Sequence, residues 1–152
     1  MSKTTIRFYH LQKQTIEEAL PQIAAKAYKA GHRCVIKLRS KQDVHRINEA
    51  LWVFQTGSFI PHGSEKDGNA QHQPIWITDK EENPNQANTL IVNGIADYDL
   101  SDYTLCCDIF DGKVDEDVQS ARKRWAEHQK LGHNLTYWYQ DESGQWVEKQ
   151  KA

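Results

Sequence analysis

The 152-residue sequence has little cysteine, no excess of positive charge and no long hydrophobic run. Its three cysteines, Cys34, Cys106 and Cys107, are odd in number and irregularly spaced, so they do not predict a disulfide framework. The formal net charge of −2 disfavours DNA binding by the whole surface, although a local basic patch stays open. No secretory leader or membrane-spanning run is present, so we expect a cytoplasmic protein with reduced thiols and no membrane partner.

The sequence also lacks the signatures of common catalytic and cofactor sites. The turn at residues 10–14 has no glycine to expose backbone amides to a phosphate, and no GxxxxGK[ST] motif occurs, so we expect no nucleotide and no cofactor. His62 and His72 have no cysteine or acidic partner at ligand spacing, which predicts solvated loop histidines and no metal site. Cys34 falls in a predicted buried strand, a poor place for a nucleophile.

Local patterns predict an alternation of strands and helices. Thr15 and Glu18 form a capping-box pattern that begins a helix ending at Gly31, with Pro21 predicting a kink or a later start. Ser40 is the candidate cap of a second helix, which is followed by a polar loop over residues 55–73. Strands are predicted at residues 5–11, 33–38, 75–78, 89–95 and 104–110, a helix at 115–130, and a terminal hairpin or strand at 135–150.

This alternation predicts β-α-β crossovers and one α/β domain over residues 1–152. We expect a mostly parallel sheet with helices on both faces, and a hairpin end or frayed tail at about residues 142–152.

Acidic residues near the middle of the chain allow two interpretations. One interpretation is a metal-dependent hydrolase or nuclease, in which Asp97, Asp99, Asp102 and Asp108 together hold two metal ions. The first three also fit a solvated connecting loop, in which Asp is common.

Aromatic residues mark two further candidate sites. Trp52 ends an apolar helix, and the triplet 59–61 lies in a polar loop, where it is either packed onto the domain or exposed for a partner. In the 115–130 helix, Val114, Val118, Ala121 and Trp125 form the predicted buried stripe. Trp125 is either core or, with Arg122 one turn before it, part of a slot for an aromatic residue that carries a carboxylate.

Several segments resemble the chi subunit of bacterial DNA polymerase III. The segment 8–11 (FYHL) is similar to that family's FY-[HL]-L opening, and residues 48–52 (NEALW) followed by 58–62 (SFIPH) resemble its EALW and SF-[VI]-PH segments. The segments 121–125 (ARKRW) and 132–135 (GHNL) resemble its last helix and the turn after it. The similarity spans nearly the whole chain and implies a Rossmann-like fold without nucleotide chemistry.

The resemblance implies a non-catalytic adaptor of the clamp-loader assembly, which contacts DNA mainly indirectly. One implied surface, Trp52, Phe59 and Pro61, would bind the psi subunit or another clamp-loader component. A second, formed by residues 122, 125 and 135, would bind the acidic, Phe-ended C-terminal tail of single-stranded DNA-binding protein.

The second site has one departure from the family pattern. Val118 stands where some relatives have a basic residue, which would leave the site less positive. Lys123, Arg124 and Lys130 are the cations expected to steer the acidic part of the tail.

Overall fold

A computed structural model describes residues 3–53 and 61–149. These residues form eight strands in one sheet, in the order β3-β4-β2-β5-β6-β1-β7-β8, and three α-helices. All neighbouring strands pair in parallel except β7 and β8, which are antiparallel. The strands are β1 (Thr5–Leu11), β2 (Cys34–Lys37), β3 (Gly63–Ser64), β4 (Ile75–Thr78), β5 (Thr89–Asn93), β6 (Leu105–Asp111), β7 (Asn134–Gln140) and β8 (Trp146–Lys149), and the helices are α1 (Ile16–Lys29), α2 (Lys41–Val53) and α3 (Asp115–Lys130). The expected α/β fold class is confirmed.

Local capping explains the start and end of α1. The Glu18 side chain accepts a hydrogen bond from the Thr15 backbone N–H at 3.0 Å. In return the Thr15 side chain accepts a hydrogen bond from the Glu18 backbone N–H, which completes the predicted capping box. At the other end Gly31 has a φ of +90°, a left-handed conformation that glycine adopts without steric cost. The helix begins at Ile16 and continues through Pro21, so the alternative of a later start is wrong.

The sheet is covered on both faces, as predicted. On one face α1 and α2 bury a cluster that includes Leu20, Ile47 and Cys107. On the other face α3 and the segment 95–103 bury a cluster that includes Phe8 and Cys106. Cys106 and Cys107, which are adjacent on β6, point to opposite faces because side chains alternate along a strand. All three cysteines are free and buried, and burial raises the pKa of the Cys34 thiol to about 12.

The predicted loop at residues 55–73 contains ordered structure that its polarity concealed. Residues 54–60 lie outside the described part of the chain, but Gly63 and Ser64 form β3, the edge strand beside β4. Ala70–His72 form a turn of 3₁₀ helix. His62 is only 7% exposed and its ring lies 4.9 Å from that of Trp52, so the prediction of a solvated His62 is wrong, whereas His72 is exposed.

The C-terminal segment forms a hairpin at the second edge of the sheet. Strand β7 joins the sheet by pairing in parallel with β1, and β8 folds back on β7 after a turn in which Gly144 has a φ of +87°. Trp146 packs edge-on against Tyr9 at 5.0 Å, which anchors β8 to the α1 side of the sheet.

Candidate functional site

A pocket opens between α3 and the sheet where the direction of chain crossing reverses. The chain leaves β1 for α1 on one face and leaves β6 for α3 on the other, although β1 and β6 are neighbours. Such a switch point leaves a crevice at the carboxyl ends of the strands, where α/β proteins commonly bind ligands. The cavity here has a volume of about 280 Å³, and it is lined by Phe8, His10, Phe110, Val118, Ala121, Arg122, Trp125 and Tyr137.

The α3 side of the pocket follows from helical periodicity. Val118, Ala121, Arg122 and Trp125 are at positions i, i+3, i+4 and i+7, so they share one face of the helix. The small Ala121 side chain is buried between its larger neighbours and leaves space above the sheet. The predicted stripe is correct at Ala121 but wrong at Val114, which is 42% exposed.

The sheet side of the pocket is aromatic. Trp125 packs against Phe8 at a ring-centroid distance of 5.3 Å and against Tyr137 at 6.3 Å, so it is half-buried and forms a wall of the cavity. Trp125 therefore packs against the buried cluster and also lines the cavity. Phe110 lies 6.4 Å from the Tyr137 ring and extends the aromatic lining. A further aromatic ring placed in the cavity can contact these rings in the same tilted or edge-to-face arrangements.

His10 and Tyr137 form a polar contact within this lining. The Tyr137 hydroxyl and His10 Nδ1 are hydrogen-bonded. Burial lowers the pKa of His10, and the positive charges of Lys149 and Arg122 lower it further. A hydrogen bond to the Gly112 backbone acts in the opposite direction. A Cβ on Gly112 would overlap the His10 ring, so the absence of a side chain at Gly112 lets the imidazole lie there. The sequence patterns did not indicate that these two residues meet, because 127 residues separate them.

Arg122 is the cation at this pocket. Its guanidinium is exposed, and among the described residues it forms no salt bridge within 4.0 Å. An unpaired arginine beside an apolar cavity can bind a carboxylate through two parallel hydrogen bonds. The pocket thus offers a slot for a ring and a cation for a negative charge.

Leu135, the third residue predicted for this site, lies nearby but does not line the cavity. It is the second residue of β7, opposite Ile6 of β1, and packs partly buried against the same cluster as Phe8 and Trp125. Its position supports the wall behind the pocket, while the lining on β7 is provided by Tyr137.

Arg124 is not a steering cation, contrary to the sequence prediction. Its Nε and Nη2 donate to the two carboxylate oxygens of Asp108 at 2.7 and 2.9 Å, and Tyr98 donates its hydroxyl to the same carboxylate at 2.6 Å. The side chains of Arg124 and Asp108 are 6% and 1% exposed. Burial alone would lower the pKa of Arg124, but the hydrogen bonds and charge of Asp108 raise it.

The same network removes the metal-site alternative. Asp108 is buried and occupied by Arg124, whereas Asp97, Asp99 and Asp102 are exposed. Within residues 3–53 and 61–149, no group of three or more His, Cys, Asp or Glu side chains is placed to hold a metal ion. The three exposed acids occupy a connecting segment, in agreement with the solvated-loop interpretation.

The second predicted surface lies at the end of α2. Trp52 is 53% exposed, its ring contacts His62, and Pro61 is half-buried. Phe59 lies outside the described residues. Helix α2 packs on the α1 side of the sheet, so Trp52 and the α3 pocket belong to opposite faces.

The fold and the pocket define a class: an α/β domain with a mostly parallel sheet, no glycine in the β1–α1 turn, and an aromatic pocket with an arginine at its edge. The sequence model of the family described as DNA polymerase III chi subunit, HolC, matches residues 3–136. The chain therefore belongs to the DNA polymerase III chi subunit family, whose members are accessory subunits of the DNA replication machinery.

Individual relatives carry the same description. The chain is 26% identical to DNA polymerase III subunit chi of Escherichia coli over 84% of its own length and 92% of that protein. It is 29% identical to the subunit of Haemophilus influenzae over 90% of its own length and 96% of that protein. It is 33% identical to the probable DNA polymerase III subunit chi of Rickettsia prowazekii over 84 residues, which are 55% of this chain and about half (51%) of that protein.

No helix within residues 3–53 and 61–149 is both long enough and apolar enough to span a membrane.

Proposed function

We propose that the chain is a non-catalytic adaptor of the clamp-loader assembly, which binds the acidic, Phe-ended C-terminal tail of single-stranded DNA-binding protein in the α3 pocket. The observation that carries this proposal is the aromatic cavity with the unpaired Arg122 beside it. A C-terminal Phe has a ring and a carboxylate on the same residue, only a few bonds apart. A receptor for it needs an apolar slot next to a cation, and this pocket has both.

The size of the cavity favours a side chain over a cofactor. Sites for small molecules span about 300–1,000 Å³, and this cavity is just below that range at about 280 Å³. The rings of Phe8, Trp125 and Tyr137 would contact the terminal Phe, and Arg122 would bind its carboxylate. Leu135 supports the wall from behind.

The same proposal assigns a second partner to the opposite face of the sheet. Trp52 and Pro61, with Phe59 from outside the described residues, would bind a psi subunit or another clamp-loader component. Because the α3 pocket and the end of α2 lie on opposite faces, both partners can bind at once. An adaptor that links a replicase to protein-coated single-stranded DNA requires such simultaneous binding.

Fluorescence anisotropy with a labelled tail peptide tests the pocket. We expect Arg122→Ala to weaken binding by about 1.5–3 kcal/mol, the usual contribution of a hydrogen bond to a charged group. Removal of the terminal Phe from the peptide should cost at least as much. Lys26→Ala is the matched control, because Lys26 is an exposed cation on α1, on the other face of the sheet. Equal affinity of the wild type and a folded Arg122→Ala variant would contradict the proposal.

A further inference from the structure

The hairpin strand β8 brings a second cation to the α3 pocket. Lys149 is paired in register with Tyr137, and its Nζ lies 5.9 Å from the centroid of the Tyr137 ring, one wall of the cavity. Side chains alternate along β8, so Trp146 packs on the α1 side while Lys149 lies on the α3 side. The position of this lysine is thus determined by the hairpin.

The charge of Lys149 is available to a ligand. Lys149 is exposed, and among the described residues it has no carboxylate within 4.0 Å. Burial is the main cause of the lowered pKa of His10, and the charges of Lys149 on β8 and Arg122 on α3 both add to it. By contrast, Lys113, which follows β6 in the sequence, forms a salt bridge with Asp111 at 3.3 Å.

The hairpin is also a feature that the family match does not cover. The match ends at residue 136, within β7, so Tyr137 and all of β8 lie beyond it. On the α3 side of the pocket, Val118, Ala121 and Trp125 carry no charge, so Arg122 is the one cation that this helix contributes to the lining as described. Lys149 adds a positive charge from the opposite wall.

We propose that Lys149 binds an acidic side chain that precedes the terminal aromatic residue of a bound protein C-terminus, so that the hairpin determines the preference for an acidic tail. This inference rests on the proposed function of the α3 pocket. Arg122 would bind the terminal carboxylate, and Lys149 would distinguish an acidic tail from a neutral tail with the same last residue. Opposite charges across an interface contribute mainly to such discrimination.

Two labelled peptides and five forms of the full chain test the assignment, and the fifth form is the Arg122→Ala variant introduced above. One peptide has two Asp residues, a short Ser spacer and a C-terminal Phe, and the other has Asn in place of both Asp residues. We expect the wild type to bind the acidic peptide about two- to five-fold more tightly, as is usual for an exposed ion pair. Lys149→Gln should remove this preference and leave binding of the neutral peptide unchanged. Lys149→Arg should keep the preference, and so should the control Lys26→Gln, which removes one positive charge from the other face of the sheet.

The outcomes separate this inference from the function on which it rests. If Lys149→Gln retains the preference, or weakens both peptides equally, Lys149 does not read the acidic residues and the inference is wrong. If, in addition, Arg122→Ala weakens both peptides, the proposed function still stands. If the wild type binds neither peptide, the proposed function itself fails and the inference fails with it. Circular dichroism of each variant establishes that it is folded.

Discussion

Arg124→Ala should destabilise the protein strongly, although Arg122→Ala two residues earlier should not. Arg124 and Asp108 form a bidentate ion pair whose side chains are 6% and 1% exposed. Removal of the guanidinium leaves the Asp108 carboxylate buried with only the Tyr98 hydroxyl as a partner in the network. Breaking a buried ion pair from one side typically costs about 3–5 kcal/mol.

That cost is large relative to the stability of a domain of this size. Unfolding free energies are about 5–15 kcal/mol, and for a chain of 150–250 residues each kcal/mol shifts the melting temperature by about 2–4 °C. We therefore expect Arg124→Ala to lower the melting temperature by about 6–20 °C in differential scanning calorimetry. Arg122 is exposed, so its replacement should change the stability by about 0.5 kcal/mol or less.

A double-mutant cycle distinguishes the ion pair from simple loss of packing. Asp108→Asn removes the negative charge but keeps an oxygen that can accept from Tyr98. The variant with both Asp108→Asn and Arg124→Ala should be more stable than the sum of the two single losses implies, since no buried charge remains unpaired. If Arg124→Ala melts within about 2 °C of the wild type, or if the losses add without coupling, the pair does not stabilise the fold as argued.

Three further outcomes are expected. Val118→Lys adds a second cation to the α3 side of the pocket and should strengthen acidic-peptide binding about two- to five-fold by anisotropy, with no gain for the neutral peptide. Burial, followed by the charge of His133, lowers the pKa of His128, so the folded state favours the neutral imidazole. The contribution of neutral His128 to the free energy of unfolding is complete above about pH 6.5 and is lost as the pH falls through the lowered pKa. His128→Gln should therefore flatten the decrease of the melting temperature between pH 7 and pH 5, and an unchanged slope would contradict this assignment. Trp52→Ala should weaken capture of clamp-loader subunits in a pull-down by about 2 kcal/mol or more, while binding of the tail peptide is unchanged. If capture is unchanged and peptide binding is weakened, the end of α2 is not the surface for the second partner.

The order of strands and helices was accessible from the sequence because the signals are local. Glu18 binds the backbone of Thr15, three residues away, and Gly31 ends α1 at the position its spacing indicates. The stripe that includes Ala121 follows from a period of 3.6 residues. The chi-family resemblance was also a property of sequence, and the family match over residues 3–136 confirms it.

The tertiary structure decided which of two nearby arginines is available for a ligand. Arg122 and Arg124 look alike in the sequence, but Asp108 on β6 lies next to α3 and binds only Arg124. Polarity around His62 indicated solvent exposure, whereas the packing of Trp52 against it leaves it buried. Neither result follows from local composition.

The sequence by itself determined the three α-helices, most of the strands, the chi-family membership and the presence of an aromatic residue beside an arginine on α3. Only the tertiary structure decided the walls of the pocket, because β1 and β7 pair across the sheet and bring His10 to Tyr137. The antiparallel return of β8 then brings Lys149 to the same ring. Helix periodicity and caps act over three or four residues, whereas contacts between distant residues depend on strand order, register and the face of the sheet on which each helix packs.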